Sequence, residues 1–171
     1  LSVLRDGSDD VLVLANESDA RYPDVYRMDT QTGRRSLKSI DKPGDVVHWV
    51  ADRKGAVRAA VTVDKGTPSR VWWRPAEDAK WEMLAEFGLR GESLLPVGFD
   101  GDGTLIVAAD RGRDTLALYR WDVTRRSPGE LVAAHPQVDL RGGLLYDWRR
   151  NRIVGVTYDG PAIDGLGIVE L

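Results

Sequence analysis

The chain has 171 residues, of which 42% are hydrophobic and 30% are charged, and this composition predicts one globular domain with an apolar core. The absence of cysteine excludes a disulfide framework, a thiolate zinc site and a cysteine nucleophile. The 24 basic residues are interspersed with 27 acidic ones, for a net charge of −3, which argues against a nucleic-acid partner. No apolar run approaches the ~18 residues of a membrane span, so we expect no membrane partner.

Four aspartates recur along the chain, each in a turn-like setting that closes a mostly apolar run. They are Asp6, Asp52, Asp100 and Asp147, separated by 46, 48 and 47 residues. Five residues after the first three aspartates, and six after the fourth, an apolar residue begins a predicted strand. These second-strand anchors are Val11, Val57, Leu105 and Ile153. The regular spacing indicates an internal repeat of about 47 residues.

A second set of positions supports the same repeat. A large apolar residue lies 19 to 21 residues after each aspartate, in a further predicted strand. These third-strand anchors are Tyr26, Trp72, Tyr119 and Ile168. We expect the four side chains to lie at matching depth, because they occupy one column of the repeat.

In chain order, the repeat predicts four strands for each of the first three copies and three for the last. Besides the two anchored strands, the copies contain Leu1–Leu4 and Arg34–Ile40, then Val46–Val50 and Trp81–Phe87, then Leu94–Phe99 and Glu130–Ala134, then Gly142–Tyr146. Four strands in about 47 residues form the unit of a propeller blade, and no window has the period of an amphipathic helix. We therefore predict an all-β fold, a fragment of a β-propeller with four blades at about 1–43, 44–91, 92–140 and 141–171.

Glycine and proline mark the predicted turns. Asp6–Ser8, Asp52–Gly55 and Asp100–Gly103 each combine an aspartate that bonds its own backbone with a glycine that tolerates positive φ. Ser127–Gly129 is interpreted as the turn before the last strand of the third blade.

The last predicted blade lacks a fourth strand. A ring that stops there leaves strand edges open, and such edges pair readily with other chains. The chain also begins within a strand-like run at Leu1, without an initiator methionine, so we expect it to be part of a longer protein with a larger ring. We predict that the isolated chain self-associates through its open edges.

No catalytic or cofactor site is expected on these residues. None of the eight serines lies in a Gly-x-Ser-x-Gly elbow, and the two histidines, His48 and His135, fall on different blades. Asp100–Thr104 begins like a calcium loop, but Leu105 and Arg111 stand where an EF-hand needs glycine and glutamate. The glycine-rich segments lead into strands rather than helices, so they do not form a phosphate cradle.

Three residues remain as weak candidates for recognition: Arg58, Arg113 and Asp114. Arg58 lies in an otherwise apolar strand, where it faces solvent, faces a central channel, or pairs with an aspartate of a neighbouring blade. Arg113 and Asp114 lie in the most polar loop of a blade, where an arginine can bind a carboxylate, or where an Arg–Asp pair simply closes the loop.

The tryptophans could stack on bases or sugars. For Trp72 and Trp121, packing between blades is the expected role, and the exposure of Trp49, Trp81 and Trp148 stays open.

Several stretches of this sequence are similar to a known family. The run Asp24–Gly33 resembles a hairpin of the propellers attached to serine peptidases of the prolyl oligopeptidase family. Three further stretches resemble that propeller in bacterial dipeptidyl aminopeptidases and acylaminoacyl peptidases. They are 48–52 with 58–60, 112–114 with 117–119, and 134–139.

The resemblance implies a non-catalytic role for this chain. In the family, the propeller covers the active site of an α/β-hydrolase domain, which carries the nucleophile, acid and base and limits cleavage to short peptides. That domain, which follows the propeller, is absent from these residues, so it is the expected partner within a complete serine peptidase, with short peptides as substrates.

The resemblance leaves the specificity and the compartment open. A glutamate pair binds the substrate's amino terminus in the dipeptidyl-peptidase branch, whereas Glu77, Glu82, Glu86 and Glu92 are scattered here. Dipeptidyl, acylaminoacyl and oligopeptide cleavage all remain open, as do bacterial cytoplasm and periplasm. The alternative is an autonomous β-propeller that binds protein or another ligand without a hydrolase.

Overall fold

The computed structural model describes residues 2–4, 6–65, 67–86, 93–147, 149–159 and 166–171, and every regular element within these ranges is a β-strand. The strands form four antiparallel sheets, which confirms the all-β prediction. In the same ranges, no helix is long and apolar enough to cross a membrane. The sheets fall into two compact units, Leu1–Glu86 and Phe87–Leu171.

The first unit contains two sheets of four strands, and in each sheet consecutive strands are hydrogen-bonded neighbours. The first sheet consists of β1 (Ser2–Val3), β2 (Val11–Ala15), β3 (Asp24–Met28) and β4 (Arg35–Leu37). The second sheet consists of β5 (Val46–Ala51), β6 (Val57–Asp64), β7 (Thr67–Trp73) and β8 (Glu82–Glu86). Leu1 and Phe87, at the ends of two predicted strands, lie outside the described residues.

The core of the first unit lies between its two sheets. Leu12 and Val25 of the first sheet, together with Leu4 just after β1, pack with Val57 of the second sheet, and all four are buried. Trp49 and Trp81 border this cluster.

The second unit contains one sheet of four strands and one of three. The third sheet consists of β9 (Leu94–Phe99), β10 (Leu105–Ala109), β11 (Ala117–Asp122) and β12 (Ser127–Ala133). The fourth sheet consists of β13 (Leu144–Asp147), β14 (Arg152–Asp159) and β15 (Leu166–Glu170). Ile106, Ala108 and Leu118 of the third sheet pack against Ile153 and Val156 of the fourth, which forms the core of this unit.

The predicted turn at Ser127–Gly129 is wrong, because these residues belong to β12. Ser127 and Pro128 pair with Asp122 and Trp121, and the turn lies just before them, with Arg126 at φ 52°. Proline is tolerated here because β12 is an edge strand, where an amide N–H need not join a ladder.

The repeated aspartates form the turns that the sequence predicts. In every sheet the carboxylate accepts a backbone N–H from the residues that follow it: Ser8 on Asp6, Lys54 and Ala56 on Asp52, Gly101 on Asp100, and Arg149 and Arg150 on Asp147. Gly7, Gly55 and Gly103 have φ between 83° and 87°, a conformation that favours glycine.

The second-strand anchors are all buried, with at most 9% of their surface exposed. The third-strand anchors differ from one another: Tyr119 is buried, Tyr26 and Trp72 are half-buried, and Ile168 is 57% exposed. The expectation of matching depth is therefore wrong for Ile168. The reason is visible in the sheet order, because β15 is the last strand of its sheet, whereas β3, β7 and β11 each have a fourth strand beside them.

Candidate functional site

The turn aspartates of the first and third sheets are held by arginines from a neighbouring strand. Arg27 contacts Asp6 at 2.8 Å and Asp10 at 2.5 Å, and it donates to the Ser8 hydroxyl at 3.0 Å. The Ser8 hydroxyl, followed by the Ser8 N–H and Arg27, lowers the pKa of Asp6 to about 2. These carboxylates are thus neutralised within their own turns.

Arg120 forms the matching cluster in the third sheet. Its guanidinium pairs with Asp100 and Asp102 and donates to the Thr104 hydroxyl at 3.0 Å. Burial opposes the charged form of Asp102, but the N–H and hydroxyl of Thr104 together with Arg120 still lower its pKa. The calcium-like loop is therefore occupied by an arginine, and no group of three potential metal ligands occurs in the described part of the chain.

Arg58 is largely buried in β6. Its side chain is 11% exposed, and it contacts Asp52 at 3.4 Å and the Arg74 carbonyl at 3.3 Å. The aspartate that it meets belongs to its own sheet rather than to a neighbouring one. The Arg58 guanidinium binds the aspartate of the turn that precedes β6. It is therefore less accessible to a ligand than the polar loop of the third sheet.

That loop, between β10 and β11, presents Asp114 to solvent. Arg113 donates to the Tyr119 hydroxyl at 3.2 Å, and Arg111 donates to the Pro128 carbonyl at 2.7 Å. Within the described residues, Asp114 has no ion-pair partner. The arginines of the loop are thus directed to β11 and β12, which leaves the Asp114 carboxylate uncommitted.

Asp114 and Thr115 line two adjoining cavities, of about 520 and 390 Å³, which together form a groove in the second unit. We call this the 114 groove, and its lining residues are 112–115, 134–139 and 141–142. One wall is the β10–β11 loop, and the other is the segment between β12 and β13. Such volumes are within the range of small-molecule sites.

Hydrogen bonds between the two walls hold the groove in shape. The Thr115 hydroxyl donates to the His135 carbonyl at 2.7 Å, and the Leu116 N–H donates to the Asp139 carboxylate at 2.8 Å. The Leu140 N–H donates to the Leu116 carbonyl at 2.9 Å. Both walls are therefore fixed to the third sheet at their bases.

The polar groups of the groove carry opposite charges. Arg141, like Asp114, is exposed and has no ion-pair partner in the described part of the chain. The His135 ring stacks on Tyr158 with the ring centroids 5.3 Å apart, and its Nδ1 accepts the Gln137 N–H at 3.2 Å. In the neutral ring, Nε2 then carries the proton and can donate. The groove thus offers an uncommitted carboxylate, an uncommitted guanidinium and an imidazole N–H donor as polar groups for a ligand.

A third cavity, also of about 520 Å³, is lined by three arginines but is a weaker candidate. Arg120 is bound to Asp100 and Asp102, Arg111 to the Pro128 carbonyl, and Arg125 lies 3.7 Å from Asp122. Because its cations are already partnered, this cavity offers less unpaired charge than the 114 groove.

Comparison with known proteins relates the chain to a peptidase. Over 153 residues, or 87% of its length, it is 29% identical to dipeptidyl aminopeptidase BIII of Pseudoxanthomonas mexicana. It spans 21% of the length of that relative. No family model matches the chain, and no solved structure matches it significantly. The chain is thus a distant relative of one part of a dipeptidyl aminopeptidase.

Two described tryptophans whose exposure the sequence left open have packing roles. The Trp49 and Trp81 rings lie 6.2 Å apart, and their N–H groups donate to the carbonyls of Pro23 and Asp41. The buried Arg74 guanidinium lies 4.3 Å from the Trp81 ring centroid. Trp148 lies outside the described residues.

Sequence reasoning identified Arg113 and Asp114 but missed the opposite wall of the groove. His135 was considered only as a partner for a catalytic serine and, with Asp139, as part of a stretch that resembles a known family, and Arg141 was not singled out. A signal was present, since this connection between the third and fourth copies is polar and follows the last strand of its copy.

Proposed function

We propose that this chain forms four blades of a β-propeller and serves as the non-catalytic, substrate-admitting part of a serine peptidase related to prolyl oligopeptidase. The blades are taken as about 1–43, 44–91, 92–140 and 141–171. The hydrolase domain of the complete protein supplies the catalytic residues, and its substrates are short peptides.

The observation that carries the proposal is the agreement between the repeat and the sheets. Along the chain, three sheets of four antiparallel strands are followed by one sheet of three strands. In each sheet, a repeated aspartate lies at the turn between the first and the second strand. This is the strand order of propeller blades. The similarity to dipeptidyl aminopeptidase BIII covers most of the chain, which favours a peptidase over an unrelated binding propeller.

The 114 groove is the part of the chain that we expect peptides to contact. Asp114 is placed to bind a peptide ammonium group, and Arg141 is placed to bind a carboxylate. Each is solvent-exposed, so each contact contributes about 0.2–1 kcal/mol, and the groove orients peptides rather than holding them tightly. A narrow entrance rejects folded proteins by steric exclusion.

The test uses the complete enzyme and a series of peptides of increasing length. Deletion of the propeller should widen the accepted size range, because the steric barrier is removed. Unchanged discrimination between long and short peptides would contradict the gating role.

A milder variant tests the groove without removing any strand. Asp114→Asn should raise the KM for peptides with a free amino terminus about two- to fivefold, the effect of one exposed ion pair. N-acetylated peptides should be unaffected. Arg125→Gln, in the neighbouring cavity, is the matched control and should change neither KM. Equal effects on free and acetylated peptides would contradict the role of Asp114.

A further inference from the structure

The two cavities of the 114 groove differ in their charged lining. The smaller cavity, of about 390 Å³, is lined by Arg113, Asp114 and His135. The larger cavity, of about 520 Å³, is lined by Asp114, Asp139 and Arg141. Asp114 borders both and therefore lies where the two cavities meet. Among the described residues that line the smaller cavity it is the one acid, and the other two charged or titratable side chains offer N–H donors.

The Arg113 guanidinium is anchored through one of its three nitrogens. Nε donates to the Tyr119 hydroxyl at 3.2 Å, and Tyr119 is buried in β11. Within the described part of the chain, the two terminal nitrogens of Arg113 have no acceptor. The guanidinium thus has a rigid support in the third sheet, and its terminal N–H groups are available to a carboxylate.

The His135 imidazole is held from the opposite wall of the smaller cavity. Its ring stacks on Tyr158, and its Nδ1 accepts the Gln137 N–H at 3.2 Å. Nε2 is then the ring nitrogen that can donate to a ligand. Because each donor is oriented by a second contact, binding an anion between them requires little further ordering of side chains.

The direction of a bound peptide follows from the contacts proposed for Asp114 and Arg141. Arg141 lines the larger cavity, so a peptide whose ammonium group binds Asp114 and whose carboxylate binds Arg141 extends into that cavity. The side chain of the amino-terminal residue branches from the same carbon atom as the ammonium group. The smaller cavity, which also borders Asp114, is the space that remains for this side chain.

We propose that the smaller cavity is a specificity subsite for an acidic side chain, so that the 114 groove selects peptides that begin with glutamate or aspartate. Arg113 binds the side-chain carboxylate, and His135 donates to it from the other wall. The peptide ammonium group offsets the charge of Asp114, which leaves the positive charge of Arg113 to attract the acid. This inference rests on the proposed function, because it takes the groove as a peptide site.

The test is a titration of the 171-residue chain with the tripeptides Glu-Ala-Ala and Gln-Ala-Ala, which match in size and differ in one charge. Amide NMR signals of residues 112–115 and 134–139 report binding in the groove. We expect the glutamate peptide to bind about three- to tenfold more tightly, the effect of two exposed contacts to a carboxylate.

The outcomes separate this subsite from the proposed function. Equal affinities for the two peptides would overturn the acidic subsite while leaving the groove as a peptide site. If neither peptide shifts these signals, the peptide role of the groove fails and the subsite fails with it. The peptidase role of the complete protein is tested separately, by labelling its active-site serine with a fluorophosphonate.

Two arginine variants identify the residue that selects the acid. Arg113→Gln should reduce the ratio of the two affinities to less than about twofold, because it removes the charged donor. Arg125→Gln is the matched control, since this exposed arginine lines the other cavity and its loss should leave the ratio unchanged. Circular dichroism checks that both variants keep the fold. A preference that survives Arg113→Gln, or that Arg125→Gln abolishes equally, would overturn the proposal.

Discussion

The third and fourth sheets show how one repeat position can have two environments. Tyr119 and Ile168 both lie on a third strand, 19 and 21 residues after a turn aspartate, yet Tyr119 is 5% exposed and Ile168 is 57% exposed. Leu131 of β12 lies opposite Tyr119, and the hydroxyl and ring of Tyr119 contact Arg113 and Arg111. The position in the repeat determines where a residue lies along its strand, whereas the presence of a neighbouring strand determines how much of its side chain is buried.

The largest expected difference is in stability. Tyr119→Ala should lower the free energy of unfolding by about 3–5 kcal/mol, because it removes a buried aromatic side chain. Ile168→Ala should stay within about 0.5 kcal/mol, as for other exposed positions. Denaturant unfolding at a concentration where the chain is monomeric measures both. Equal losses would contradict the comparison between the two sheets.

Substitutions next to β13, at one edge of the fourth sheet, should be less well tolerated than substitutions of exposed residues in β15, at the other edge. A Cβ at Gly142 would lie 2.0 Å from the Thr157 carbonyl oxygen, whereas one at Gly143 would come no closer than 3.6 Å to any atom. Gly142→Ala should therefore cost about 1–3 kcal/mol, the usual penalty for overpacking. Gly143→Ala is the adjacent control and should be nearly neutral in thermal unfolding. If Gly142→Ala left thermal stability unchanged, the close packing of residue 142 against Thr157 would be contradicted.

A smaller effect is expected at the turn of the third sheet. Arg120→Gln leaves Asp100 and Asp102 without their cation and should cost about 1–2 kcal/mol. Arg125→Gln is the control, because that side chain is 80% exposed. If urea titrations showed equal midpoints for the two variants, the Arg120 cluster would have no structural role.

The smallest effect is a pH dependence in the first sheet. The Ser8 hydroxyl, the Ser8 N–H and Arg27 lower the pKa of Asp6 to about 2, so its contribution to stability is complete above the ordinary aspartate value of about 3.9. That contribution is lost as the pH falls from about 4 to about 2. A carboxyl carbon NMR titration should give a midpoint near 2, and Ser8→Ala should raise it. A midpoint near 4 in the parent chain would be inconsistent with the cluster.

Sequence reasoning predicted the features that depend on local chemistry. The backbone N–H groups that each turn aspartate accepts within its own turn come from residues no more than four positions away, and the second-strand anchors are buried. The exception is the additional bond from Ile153 to Asp100, which joins two sheets and has no signal in the repeat.

The features that were missed depend on contacts between distant segments. The exposure of Ile168 depends on a fourth strand, and the 114 groove depends on two loops that meet through Thr115, Leu116 and Asp139. Arg120 looked like an ordinary strand residue, because its partners Asp100 and Asp102 lie about 20 residues earlier. In each case, the contacts join residues that are far apart in the sequence, and the sequence pattern does not predict them.

The most direct test of the proposed function is fluorophosphonate labelling of this 171-residue chain beside the native gene product from its source. We predict that the native polypeptide is labelled at an active-site serine and that the chain alone is not, because the catalytic residues lie on a hydrolase domain. An unlabelled native product would contradict the peptidase role and favour a binding propeller. Labelling of the chain itself would contradict the prediction that its serines are non-catalytic.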